Sequence, residues 1–235
     1  MLGFCHLFAG VMIGLLLYKL SGQRILLIAS AVGAILPDLI DKPLGHFLLA
    51  DSLNAGRIYA HTLLLLLIIV VLGLYYWRKK SNYLLLAAAA GVGSHLLLDQ
   101  IWQAPVTLFW PLLGPFAAAD FEGYFTTFTI KELTSISEWA FALTVIYVLL
   151  IVYQDKFKKL NKVSLWFERL LPLPSILLLI MGLAYLLSAL FTSNEEHLLV
   201  GVVAVLGSLV LTYTLKNKVM SSGEPETAHL NPAKR

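Results

Sequence analysis

The chain has little cysteine and little charge. Cys5 is the one cysteine among 235 residues, so an intrachain disulfide and a zinc site built from several cysteines are both excluded. Charged residues make up 13% of the chain, whereas about a quarter is usual in a soluble domain. Hydrophobic residues make up 59%. The composition therefore predicts an integral membrane protein.

Several sequence signals of familiar membrane proteins are missing as well. No basic region precedes the first apolar run, so we expect that run to be an uncleaved membrane anchor. The last apolar run contains no lysine that could carry retinal. Neither a His-Glu-x-x-His nor a Gly-x-Gly-Asp motif is present, which argues against the membrane proteases that use them.

Long apolar runs dominate what the chain does contain. Because a spanning helix needs about 20 apolar residues, these runs predict an all-α, polytopic membrane bundle of about seven transmembrane helices. The runs are Leu2–Leu20, Ile25–Pro37, Ile58–Trp77, Tyr83–Leu98, Ile136–Tyr153, Pro174–Phe191 and His197–Leu215.

Charge in the connections predicts the topology. Basic residues follow the first, third, fifth and seventh runs, and the other connections hold mainly acidic residues. Lysine and arginine collect on the cytoplasmic side of membrane proteins. We therefore expect the N-terminus outside, the C-terminus inside, and a multi-pass protein of the cytoplasmic membrane.

The pattern divides the chain into three parts. Residues 1–135 are predicted to form a membrane domain of four helices with a metal site. That domain includes the aromatic, proline-broken stretch Trp102–Leu112, which we interpret as interfacial or re-entrant. Residues 136–220 are predicted to add three transmembrane helices, and residues 221–235 to form a disordered tail.

Six side chains with metal-binding or proton-transfer chemistry lie near run ends that share one predicted membrane face. Ionisable groups beside hydrocarbon are costly, so their convergence indicates a functional site. His95 and Asp99 are four residues apart, and on a helix both can reach one ion. The prolines of Leu36–Pro43 are expected to bound a polar turn that offers one ligand and one outer acceptor. The six residues are His6, Asp38, Asp41, His61, His95 and Asp99.

Histidine and carboxylate without thiolate suit zinc first, or manganese or iron, and the set is large enough for one or two ions. Other interpretations stay open for single residues. A lone histidine such as His6 commonly bonds a carbonyl, and Asp41 could be a solvated cap. Arg57 could hold a phosphate or carboxylate, or it could anchor the chain at the interface.

The same residues occur in short motifs in a fixed order. His6 is followed by Gly10, and then come Leu36-Pro37-Asp38, Gly56-Arg57 with His61-Thr62-Leu63, Ser94-His95-Leu96-Leu97-Leu98-Asp99, and Leu108-Phe109-Trp110-Pro111-Leu112. In this order they resemble the membrane-bound metal-dependent hydrolase family, also described as LexA-binding inner-membrane-associated hydrolases, over roughly the first half of the chain. That family is similar, more distantly, to zinc-dependent phospholipases C.

The resemblance implies metal-assisted hydrolysis of a lipid or lipid-linked phosphoester at the extracytoplasmic surface, with membrane lipid as partner and no nucleic acid. The implied metal ligands are His6, Asp38, His61, His95 and Asp99. Asp41 or Asp99 would accept a proton, and Arg57, Thr62 and Trp110 would contact the substrate. The sequence leaves the oligomeric state open.

Two other function classes remain open. A noncatalytic membrane scaffold or receptor could use the same polar residues to link helix ends. A metal-ion transporter is less favoured, because its polar path should continue toward the cytoplasm and the inner halves of these runs offer few polar groups.

Overall fold

The computed structural model describes residues 3–118, 123–154 and 172–222. Within these ranges the chain is helical and contains no β-strand, which confirms the all-α prediction. A π-helical turn, Leu44–Leu48, follows the helix Ile25–Pro43, and a 3-10 turn, Ile101–Gln103, precedes the short helix Pro105–Leu108. Most of the tail expected at residues 221–235 lies outside the described ranges. The helices α1 to α9 are Gly3–Ser21, Ile25–Pro43, Leu63–Lys80, Leu84–Leu98, Pro105–Leu108, Tyr124–Thr134, Ile136–Val152, Pro172–Thr192 and Glu195–Ser222.

Helices occupy the places of all seven apolar runs, but in the described residues three are long and apolar enough to cross a bilayer alone. These are α1, α8 and the Glu195–Thr214 part of α9. Thr126–Thr134 and α7 meet the same standard together, with a bend of 72° between them. Helix α4, with 15 residues, rises about 22 Å, less than the roughly 30 Å of hydrocarbon in a bilayer. The seven spans and their orientation therefore stay predictions.

The prediction that Pro37 ends the second helix is wrong. Helix α2 continues through Pro37 to Pro43 and carries Asp38 and Asp41 on its last turns rather than in a polar turn. An internal proline removes one hydrogen bond, and inside a helical bundle neighbouring helices can satisfy the carbonyls that it frees. The extra turns lengthen α2 and fix both carboxylates on a rigid element.

The third helix begins later than the sequence predicts. Thr62 is the N-cap of α3, and its Oγ1 accepts a hydrogen bond of 3.2 Å from the backbone N–H of Leu65. The preceding residues Ile58–His61 are not helical, because the Asp41 carboxylate binds three of their backbone N–H groups. His61 thus lies in a short loop before the helix.

Glycine brings α2 very close to its neighbours. A Cβ at Gly33 would collide with the backbone of Ala88 in α4, and one at Gly91 would collide with the carbonyl oxygen of Ser30 in α2. Gly10 of α1 also approaches α2, where a Cβ would collide with Ala34 and with the same carbonyl oxygen of Ser30. Small residues allow such contact between membrane helices. Helices α1, α2 and α4 therefore pack closely against one another, with their functional side chains at one end.

One hydrophobic core joins the parts predicted on either side of residue 135. Phe8 of α1 stacks on Phe141 of α7 with ring centroids 4.7 Å apart. Leu178 of α8 and Ala204 of α9 are buried in the same core. Helices α7 and α9 therefore pack directly on the helix that carries His6, and α8 packs on α9.

Candidate metal centre

Four helices bring polar side chains together at one end of the bundle. His6 lies near the start of α1, Asp38 in the last turns of α2, His61 just before α3, and His95 and Asp99 at the end of α4. The three imidazoles are 0–1% exposed. We call these five residues the cluster. They are the five metal ligands expected from the sequence, and the structure brings all of them into one small volume.

A backbone carbonyl orients the imidazole of His95. Nδ1 of His95 lies 2.7 Å from the carbonyl oxygen of Ala34 in α2. A carbonyl can only accept, so Nδ1 carries the hydrogen and Nε2 presents a lone pair.

Asp41 orients His61 in the same way. Its Oδ2 lies 2.7 Å from Nδ1 of His61, and its carboxylate also accepts hydrogen bonds from the backbone N–H groups of Ile58, Ala60 and His61. Asp41 is fully buried. With its oxygens committed to these donors, Asp41 holds the loop and leaves Nε2 of His61 facing the cluster. Such a carboxylate behind a histidine is common at metal sites.

The two oriented imidazoles face each other through nitrogens. Nε2 of His61 and Nε2 of His95 are 3.1 Å apart. When both rings are neutral, each presents a lone pair to the other, which is repulsive without a positive charge nearby. A metal ion or a proton on His61 removes this repulsion.

Two carboxylates surround the same point. Oδ1 of Asp38 lies 3.6 Å from Nε2 of His61 and 3.8 Å from Nε2 of His95. Oδ2 of Asp99 lies 3.5 Å and 3.8 Å from the same two nitrogens. Ligands of a tetrahedral ion with bonds of about 2.0–2.1 Å are about 3.3 Å apart. The donor types and their spacing therefore fit a small divalent ion.

His6 completes the cluster from α1. Its ring stacks on that of His95 with centroids 3.9 Å apart, and its Nε2 lies 3.2 Å from Oδ1 of Asp99. Among the described residues, neither ring nitrogen of His6 makes a hydrogen bond of regular geometry. A buried imidazole without such a bond is costly, and binding an ion would satisfy it.

Asp99 connects the cluster to a cation at the surface. Its Oδ2 accepts a bond of 2.8 Å from Nε of Arg57, whose side chain is 48% exposed. Burial alone would raise the pKa of Asp99, but contacts with His6 and His61 and the charge of Arg57 hold that pKa well below its usual range. Asp99 is therefore an ionised carboxylate, as a metal ligand must be.

The surroundings of His61 also favour a positive charge at the cluster. Burial acts to lower the pKa of His61, yet the hydrogen bonds with Asp41 and Asp99 outweigh it and raise the pKa. The carboxylates around His61 thus stabilise a cation at this position. A divalent ion would satisfy the same field more fully than one proton.

A polar cavity of about 450 Å³ opens beside the cluster. Arg57 and Asp99 lie on its cluster side. Lys131 and Glu196 also line the cavity and form an ion pair of 2.8 Å. The cavity has room for a small polar headgroup and gives it access to Asp99.

Two residues predicted to contact substrate lie elsewhere. Thr62 is 1% exposed, and its hydroxyl caps α3 and donates to the carbonyl of Tyr59. Trp110 packs against the rings of Tyr59 and Phe116. Neither lines the polar cavity. Their placement favours structural roles, with Trp110 bracing the loop that contains His61.

Sequence reasoning missed two groups that hold the cluster. The Ala34 carbonyl has no side-chain signal at all. Glu138 of α7 is buried and accepts a hydrogen bond of 2.9 Å from the backbone N–H of Cys5, next to His6. In the sequence pattern, Glu138 contributes only to the acidic charge of a connection. A carboxylate inside an apolar run is nevertheless a signal of an unusual role.

Fold and cluster together define an all-helical membrane protein with a buried histidine–aspartate cluster at one end of its bundle. Residues 1–158 match the model of a family described as YdjM inner membrane protein. The chain belongs to this family, and inner-membrane location agrees with its apolar helices. No curated protein and no solved structure matches the chain. The matched range contains α1 to α7 and therefore every residue of the cluster.

Proposed function

We propose that this protein is a membrane-embedded, metal-dependent hydrolase that acts on a lipid or lipid-linked phosphoester. The facing Nε2 atoms of His61 and His95 carry the proposal. Both rings have committed Nδ1 to an acceptor, and two carboxylates surround their free nitrogens. A bound cation would remove the repulsion between the two facing nitrogens and would balance the negative charge of the two carboxylates.

The cluster supports one or two ions, zinc first and manganese or iron as alternatives. One ion would be held by His61, His95 and Asp99, with Asp38 within reach. His95 has a single free nitrogen, so a second ion would need His6 and a shared carboxylate. Asp99 suits that role, because Oδ1 faces His6 while Oδ2 faces the other two histidines.

The residues around the cluster have distinct roles in this proposal. A bound divalent ion would lower the pKa of a coordinated water toward about 7 and polarise the scissile bond. Arg57 would bind the phosphate from the cavity side. The low pKa of Asp99 suits a ligand better than a base, and the oxygens of Asp41 are occupied. The released proton would therefore leave through the open cavity to solvent.

The proposal includes the predicted topology. With the N-terminus outside, the cluster end of α1 lies at the extracytoplasmic surface of the membrane. A site at that depth can reach the headgroup of a bilayer lipid without extracting it. The noncatalytic scaffold remains the competing proposal, and both activity and metal content separate the two.

Elemental analysis of detergent-purified protein tests the metal site. We expect stoichiometric zinc, manganese or iron in the native chain and its loss in a His95→Ala, Asp99→Ala double variant. His197→Ala is the matched control, because His197 bonds Ser188 and lies outside the cluster. Folded native protein, never exposed to chelator, that contains no metal would refute the metal site.

Hydrolysis is then measured on phosphoester lipids in mixed micelles. We expect activity that chelator removes and added metal restores. Bound metal without any phosphoester hydrolysis would favour the scaffold.

A further inference from the structure

A second cavity, almost entirely apolar, lies next to the polar one. It measures about 350 Å³ and is lined by α1, α4 and α9. Its walls include Ala9 and Met12 of α1, Leu98 of α4, and Leu206 and Val210 of α9. We call this cavity the groove.

The groove and the polar cavity share a wall. Leu98 lines both, and it directly precedes Asp99 of the cluster. The lining changes from charged side chains to aliphatic ones across this residue. An elongated molecule with one polar end and one apolar end matches this order, and a purely polar or purely apolar molecule does not.

The groove lies at the depth of lipid chains. Both α1 and the Glu195–Thr214 part of α9 are long and apolar enough to span a bilayer, and both begin at the cluster end. The α1 residues along the groove run from Phe8 to Leu16, a rise of about 12 Å. One leaflet provides about 15 Å of hydrocarbon.

From this continuity we infer that the groove holds one acyl chain of a membrane phosphoester lipid, whose phosphate lies in the polar cavity beside Arg57 and Asp99. The inference rests on the proposed function and deepens it, because it makes the substrate a lipid that enters sideways from the bilayer. It also gives α9, which lies beyond the family-matched range, a part in substrate selection.

Photo-crosslinking tests the occupant without needing activity. The full-length protein is reconstituted in phosphatidylcholine vesicles that contain a phosphatidylglycerol with a diazirine in mid-chain, and labelled peptides are mapped by mass spectrometry. We expect label on Met12, Ile13 and Val210 in excess of that on Leu183 and Leu187, which are exposed on α8.

A pair of variants on α9 supplies the control. Leu206→Trp should fill the groove and reduce its labelling about tenfold or more, since even one misplaced methylene group in an apolar pocket has that effect. Leu209→Trp is matched in exposure, 58% against 56%, but Leu209 does not line the groove, so its labelling should stay native. Ala9→Phe fills the groove from α1 and repeats the test should Leu206→Trp not fold.

Two results would overturn the inference. One is equal labelling of the groove and of α8, and the other is labelling of the groove that the filling variants leave unchanged. Metal content measured on the same samples keeps the outcomes distinct. Native protein without metal would refute the hydrolase proposal. The labelling map decides independently whether a lipid chain occupies the groove.

Discussion

Asp41 is the residue on which the orientation of His61 depends. Its buried carboxylate binds both the imidazole and the backbone of the preceding loop. The sequence allows Asp41 to be a proton acceptor, an outer acceptor or a solvated cap. Its four hydrogen-bonding donors favour the outer acceptor.

We expect Asp41→Asn to weaken metal binding about 10–100-fold, the usual cost of losing a carboxylate behind a histidine ligand. An amide oxygen is a weaker acceptor than a carboxylate, and the amide N–H atoms would face other donors. Competition with a fluorescent zinc chelator measures the affinity.

Asp51→Asn makes the same chemical change at an exposed position and serves as the control. Equal zinc affinity in Asp41→Asn and the native protein would show that Asp41 does not support the site.

The spacing of the cluster depends on the close contact between helices α2 and α4. Gly33 and Gly91 allow the two backbones to approach, and this approach brings Asp38 near His95. The close contact also places the Ala34 carbonyl within hydrogen-bonding distance of His95. The geometry of the candidate ligands thus depends on two glycines, Gly33 and Gly91, which carry no functional group.

Gly91→Ala should destabilise the protein by about 1–3 kcal/mol and lower its bound metal, because the new Cβ must displace the backbone of α2. Thermal unfolding in detergent and metal content per chain measure the two effects.

The matched control is Gly93→Ala on the same helix. A Cβ there meets nothing within 4 Å, and alanine favours the helix by about 0.5–1 kcal/mol over glycine. Similar unfolding temperatures for the two variants would contradict the proposed close packing.

Element positions were largely predictable, because long apolar runs allow few alternatives to helix. Both errors in helix ends arose from tertiary contacts. Helix α2 continues through Pro37 inside the bundle, and Asp41 binds the backbone N–H groups of the Ile58–His61 segment before α3. The five candidate ligands were predictable as a group from their chemistry and shared face, and the structure brings their side chains together. The role of the Ala34 carbonyl depends on a distant helix and had no local signal. Glu138 is visible in the sequence as a carboxylate inside an apolar run, but its contact with α1 is not.

At the scale of the whole molecule, the single cysteine makes topology measurable. Cys5 is fully buried, so a membrane-impermeant maleimide should not label the native protein. We expect Asp51→Cys to be labelled on intact cells and Gln23→Cys only after permeabilisation, since the two exposed positions lie at opposite ends of the predicted bundle. The reverse pattern would overturn the predicted orientation and place the cluster on the cytoplasmic side.

Glu138 links the later helices to the cluster. Its carboxylate binds the N–H of Cys5 at the start of α1, and α7 ends just before the boundary of the family match at residue 158. The region that defines the family therefore includes the candidate ligands and the helix that secures them. Glu195, Glu196 and Leu199, which wall the cavity from α9, come after it. Relatives that share the first region but have different later helices would have the same candidate ligands and would differ in the residues that line the cavity and select its occupant.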